Sequence, residues 1–118
     1  MLEDTPPTPT APDIRQRLNA LGPKRIWRPV PAPDGSLLAP GDGCDTTDLE
    51  HYIGNLDVRG KSVADLGCNL GYFSFMARRL GATRVLGLDI DPEIVHVAGQ
   101  LADLHRLTDV TFAACDFL

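Results

Sequence analysis

Asp65, Gly67, Asn69 and Gly71 stand at a spacing that can hold a ligand, in the stretch Val63-Ala64-Asp65-Leu66-Gly67-Cys68-Asn69-Leu70-Gly71-Tyr72. An apolar run stops at an aspartate, a turn bracketed by two glycines follows, and an amphipathic helix begins. Gly67 lets the backbone turn sharply without a Cβ, and Gly71 lets the helix start close to the strand. Asn69 between them is the non-glycine residue that best tolerates positive φ, and its side chain is expected to face the ligand. A carboxylate at the mouth of this loop suits a ligand with an ammonium group. Asp89, eighteen residues beyond Gly71, closes the next apolar run. There a carboxylate can accept both hydrogen bonds from ribose hydroxyls, since ligands of open α/β sheets bind at the carboxyl ends of the strands.

A dinucleotide loop is the competing reading, because Gly-x-Gly-x-x-Gly rests a pyrophosphate on a helix N-terminus. Its middle glycine is Asn69 here, and Asp65 would face a doubly anionic ligand. The pattern Asp-x-Gly-x-x-x-Gly resembles the first motif of the class I S-adenosylmethionine-dependent methyltransferases, with Asn69 where that family usually has a third glycine. Gly87-Leu88-Asp89-Ile90-Asp91-Pro92 resembles the same family, and Asp116 in Cys115-Asp116-Phe117 matches its third acidic position by place. The resemblance covers about Val58 to Leu118. It implies S-adenosyl-L-methionine as cofactor, with contacts from Asp65, Gly67, Cys68, Asn69, Gly71, Asp89, Ile90 and Asp116. In that family the first aspartate lies near the methionine ammonium, the second binds the ribose, and the third approaches the adenine amino group. Trp27, Asp34-Gly35 and Gly41 ahead of the loop also resemble the small-molecule and tRNA wobble-uridine methyl- or carboxymethyltransferase-like group.

The elements that position these residues can be read from periodicity. Ser62 to Leu66 is expected as a parallel strand buried on both faces. Tyr72 to Leu80 follows as a helix with Phe73, Met76, Ala77 and Leu80 toward the sheet. Arg84 to Leu88 is the second strand and ends at Asp89. Asp91, followed by Pro92 and Glu93, reads as the N-cap of a helix to about Leu107, with Ile94, Val97, Ala98, Leu101 and Leu104 inward. Val110 to Ala114 is the third strand.

Upstream, Met1 to Pro12 is rich in proline and threonine and reads as a disordered tail. A short helix follows, with Asp13 as N-cap, Ile14, Leu18 and Leu21 on one face, and Gly22-Pro23 as its stop. It is expected to pack as an appendage. Ile26 to Val30 and Ser36 to Leu38 are candidate short strands around the Asp34-Gly35 turn. Trp27 reads either as a hydrophobic anchor, the preferred reading, or as a wall of the ligand site. Thr47 to Leu56 is expected as a helix with a Thr47/Glu50 capping box and a stripe of Leu49, Tyr52, Ile53 and Leu56. His51, off that stripe, reads as a surface residue.

Composition narrows the function classes. The 118 residues carry eleven basic and sixteen acidic side chains, a net charge of −5, without a basic patch for nucleic acid. Three cysteines without a Cys-x-x-Cys pair argue against a disulfide framework and a zinc site, and a reducing cytoplasm is the simplest setting. Cys68 and Cys115 read as small apolar wall residues. No apolar run reaches the length of a membrane span.

The expected fold is a Rossmann-like doubly wound parallel sheet of strand order 3-2-1, stopping after the third strand, with an N-terminal extension. Residues 1–12 form the tail, 13–57 the extension, and 58–118 the first half of an S-adenosylmethionine-binding domain. The expected activity is methyl transfer to a small-molecule, tRNA or protein acceptor, with no residue assignable as general base. An NAD-dependent oxidoreductase and a non-catalytic adenosyl-binding module are the alternatives. With its first strand at a sheet edge, the chain is expected to need a partner chain or a C-terminal half for turnover.

Overall fold

A computed structural model describes residues 8–43 and 45–117. Residues 1–7, the bulk of the expected tail, lie outside the described residues, as do Cys44 and Leu118. Three parallel strands form the centre: β3 (Ser62–Leu66), β4 (Arg84–Asp89) and β5 (Val110–Ala114), in the spatial order β3-β4-β5. This is the expected 3-2-1 arrangement of a parallel α/β fold. Two helices make the crossovers, α3 (Tyr72–Arg79) and α4 (Pro92–Leu104). Upstream lie α1 (Ala11–Leu21), a 3-10 turn (Pro23–Arg25), the antiparallel pair β1 (Val30–Pro31) and β2 (Leu37–Ala39), and α2 (Thr47–Gly54).

The apolar periodicity of α4 is realised almost as written, with Ile94, Val97, Ala98 and Leu101 buried and Asp91 accepting the Glu93 N–H as N-cap. The phase of α3 differs. Its buried residues are Ser74, Phe75 and Ala77, whereas Phe73, Met76 and Leu80 are only partly covered. The reason is polar: the Ser74 hydroxyl, fully buried, donates to Asp65 Oδ2 at 2.7 Å, which turns that face of the helix to the sheet.

The strands are covered on one face, not two. Val85, Gly87, Asp89 and Val110 are buried on the side of α3 and α4. On the other side Leu66 and Leu86 are 60% and 40% exposed. No element among the described residues lies over that face.

The N-terminal segment shares the main core. Ile14 and Leu18 are fully buried, α1 packs on α4, and both side chains belong to one cluster with Val85, Ile94 and Leu101. Thr10 is the N-cap of α1, and Asp13 is the third helical residue, returning a bond to the Thr10 N–H in a reciprocal capping box. Sequence alone could not rank two good caps three residues apart. The hairpin around Asp34-Gly35 exists, with its pairing shifted to Val30 opposite Ala39 and Pro31 opposite Leu37.

Helix α2 has no capping box. Thr47 bonds Asp45 Oδ1 instead, and Glu50 is drawn away to Arg28 and Tyr72. Its stripe stays open, with Leu49, Tyr52 and Leu56 all exposed. No described helix is long and apolar enough to cross a membrane.

Candidate functional site

The register of β3 and β4 sets Asp65 beside Gly87 and Leu66 beside Leu88, so their loops leave the sheet as neighbours. Gly67 and Cys68 both donate backbone N–H bonds to the Leu88 carbonyl, at 2.8 and 2.9 Å. Asp89 completes the join. Its Oδ2 accepts the Asn69 N–H at 2.9 Å and its Oδ1 accepts the Asp91 N–H at 3.2 Å. A carboxylate only 9% exposed thus holds both loops at once, and its rim position leaves it lining a cavity of about 370 Å³. Gly67, Asn69, Ile90 and Asp116 line the same cavity.

Gly67 has φ +72°, and a Cβ built there would meet nothing within 4 Å. The missing side chain therefore leaves space at the loop, as close approach of a ligand to backbone requires. Gly71 does something else. At φ +89° it caps the start of α3, and a Cβ there would sit 2.6 Å from the Phe112 ring. It lines neither cavity and acts by letting α3 start close to Phe112 of β5.

Asp65 lies on the other side of the loop, at a second cavity of about 350 Å³ also lined by Cys68, Trp27, Arg28 and Tyr72. Burial raises the Asp65 carboxyl above the ordinary carboxylate range; the Ser74 bond opposes that rise and the charge of Asp89 adds to it. A carboxylate so placed gains from a cationic partner. Cys68 is pushed up to about 12 by burial and then by Asp65 and Asp89, so its thiol is an inert wall at neutral pH. Cys115 is exposed at the rim of the first cavity.

Asn69 adopts positive φ, +50°, as expected, and its side chain is engaged by the N-terminal segment. The amide Nδ2 donates to the Arg25 carbonyl at 2.9 Å, and Oδ1 accepts the Trp27 N–H at 3.3 Å. Trp27 is 47% exposed and lines both cavities, so it is a wall and not a buried anchor.

Other site residues escaped sequence reasoning because their partners are distant in the chain. Arg25 pairs with Asp91 at 2.6 Å and Glu93 at 3.2 Å, and its bond is the main cause holding Asp91 below the usual carboxylate range. Arg28 pairs with Glu50 at 2.9 Å and lies 4.2 Å from the centre of the Tyr72 ring, whose hydroxyl donates to Glu50 at 2.5 Å. Burial and the adjoining Glu50 raise the Tyr72 phenol, which disqualifies it as a base at neutral pH. The local hint was the basic trio Lys24, Arg25 and Arg28, a pattern that can contact an anionic substrate but is more often a solvated face.

Residues 57–118 match the model of a family described as a methyltransferase domain. The ribosomal protein L11 methyltransferase of Aeromonas hydrophila is 34% identical over 91 residues, covering 70% of this chain and 31% of that protein. Among solved structures, the ribosomal protein L11 methylase from Lactobacillus delbrueckii subsp. bulgaricus is 32% identical with a TM-score of 0.56, covering 65% of this chain and 41% of that one. The Trypanosoma brucei PRMT1 enzyme-prozyme complex with AdoHcy is 32% identical with a TM-score of 0.55, over 62% of this chain and 23% of that one. The chain thus spans about a third of the length of the curated relatives it matches.

Proposed function

This chain belongs to the methyltransferase-domain family, and from that premise we propose that it forms the donor-binding part of an S-adenosylmethionine-dependent methyltransferase. The observation that carries the proposal is Asp89, a buried carboxylate fixed by two backbone N–H groups at the end of β4 and facing a cavity beside Gly67. Each carboxylate oxygen has a second lone pair, so the two can still accept a ribose diol. Ile90 would flank the adenosine and Asp116 the adenine edge, while Asp65 at the second cavity would meet the ammonium of the methionine end. The cofactor supplies a methyl group already activated by its sulfonium, so the protein's part is to hold donor and acceptor in line. None of the described side chains is assigned as a base. The names of the curated relatives make a ribosomal protein the first acceptor to assay.

A titration of the intact protein with S-adenosylhomocysteine and NADH tests this reading. The former should bind and the latter should not, because Asp65 sets a carboxylate where a pyrophosphate would need to approach and Asn69 stands where a dinucleotide loop has its middle glycine. The binding should also depend on pH through Asp65. Its carboxyl is raised in the ligand-free fold by burial, and it pairs with ammonium only when ionised. Affinity should therefore fall as pH drops through that raised pKa. Asp65's contribution to the ligand-free stability runs the other way, present below its unfolded pKa and lost as pH rises through the folded one. Preferential NADH binding, or a pH profile that Asp65→Asn leaves unaltered, would contradict the assignment.

A further inference from the structure

The side chain of Asn69 and the backbone of Arg25 to Trp27 form a two-point pairing across 42 to 44 positions of sequence. An amide that both donates to one residue's carbonyl and accepts from an N–H two residues later is held in register, as a strand neighbour would be. The same short segment is tied to the next loop, because the Arg25 guanidinium reaches Asp91 and Glu93 just beyond Asp89. Residues 25–27 thus bridge the loop after β3 and the loop after β4. Trp27 ends this tethered segment, and its surface contributes to both cavities.

Resting on the adenosyl-donor reading above, we propose that Arg25–Trp27 is a built part of the donor site and that Asn69 is the positioning residue holding it there. Trp27 then forms a wall shared by the adenosine cavity at Asp89 and the cavity at Asp65 that takes the methionine end. Asn69 serves two functions with separate atoms: its N–H orients Asp89, and its amide sets the Trp27 wall. A glycine at this position would keep the first and lose the second.

That separation supplies the test. If Asn69 served only to provide a left-handed turn, Asn69→Gly would be neutral or favourable, since glycine takes positive φ more readily. If the amide positions the wall, Asn69→Gly should weaken S-adenosylhomocysteine binding about tenfold, the scale of losing two hydrogen bonds. Trp27 emission gives the second readout, with Trp27→Phe defining its share of the signal. Ligand should shift that emission in the parent protein and not in Asn69→Gly. Asn69→Asp, which tolerates the same backbone and can still accept the Trp27 N–H but cannot donate to the Arg25 carbonyl, should fall between the parent and Asn69→Gly. Parent-like affinity in either folded variant would overturn the proposal. So would weaker binding with the Trp27 response intact, because Asn69 would then act through the loop alone. A parent protein that binds no S-adenosylhomocysteine would instead sink the donor reading itself, a distinguishable result.

Discussion

Alanine in place of Asp89 is expected to weaken S-adenosylhomocysteine binding by about a hundredfold, and calorimetric titration of the intact protein measures it. Charge-assisted bonds to a ribose diol are worth about 1.5–3 kcal/mol, which alone gives ten- to a hundredfold. The upper end is expected because this carboxylate has a second role. It accepts the N–H groups of Asn69 and Asp91, so its removal strands two donors and frees both ligand loops from one another. Asp89→Asn should fall between, since it keeps one acceptor oxygen and places an amide NH2 against a backbone N–H. An unchanged dissociation constant in folded Asp89→Ala would show that this carboxylate is not the ribose anchor.

Gly71→Ala should show the largest effect on stability. The position sits at φ +89°, where any L side chain is strained by about 1–2 kcal/mol. The added methyl would also lie 2.6 and 2.8 Å from two carbons of the Phe112 ring, which packs edge-on against Phe75. Overpacking of this kind costs about 1–3 kcal/mol. The sum, about 2–5 kcal/mol, is a large share of a small domain's stability and should be plain in urea unfolding. Combining it with Phe112→Leu should recover part of the loss, because the clash is relieved while the backbone strain remains. A Gly71→Ala protein of parental stability would mean that α3 starts farther from β5 than described here.

The parallel strands and their crossover helices were legible in the sequence because each depends on local pattern, and the strand order followed from the fold that the family resemblance implied. Apolar runs end at Asp65 and Asp89, glycines mark the turns, and Asp91-Pro92 announces a helix. What could not be read was set by partners far along the chain. Ser74 is the most buried polar residue of α3 because Asp65 lies across from it, and a periodicity that ranks residues by apolarity cannot find such a pair. Glu50 abandons its capping role for Arg28 and Tyr72. The α2 stripe, though regular, leaves Leu49, Tyr52 and Leu56 exposed and only Ile53 half-buried, because burial needs a second surface that α3 covers only in part.

The site shows the same division. Gly67, Asn69, Asp89, Ile90 and Asp116, named through the family resemblance, fall around one cavity, with Asp65 and Cys68 on the far side of the loop. Arg25 and Trp27 join them only through folding. Their approach to Asn69 is a tertiary contact with no local precursor, and half-exposed Trp27 defeats the general rule that large aromatics are buried.

The most direct measurement of the donor-site claim is a crystal structure of the intact protein with S-adenosylhomocysteine. Both ribose hydroxyls are expected within hydrogen-bond distance of Asp89, with the adenine beside Ile90 and Asp116 and the amino-acid end at Asp65. Ligand bound elsewhere, or bound here with its ribose away from Asp89, would contradict it.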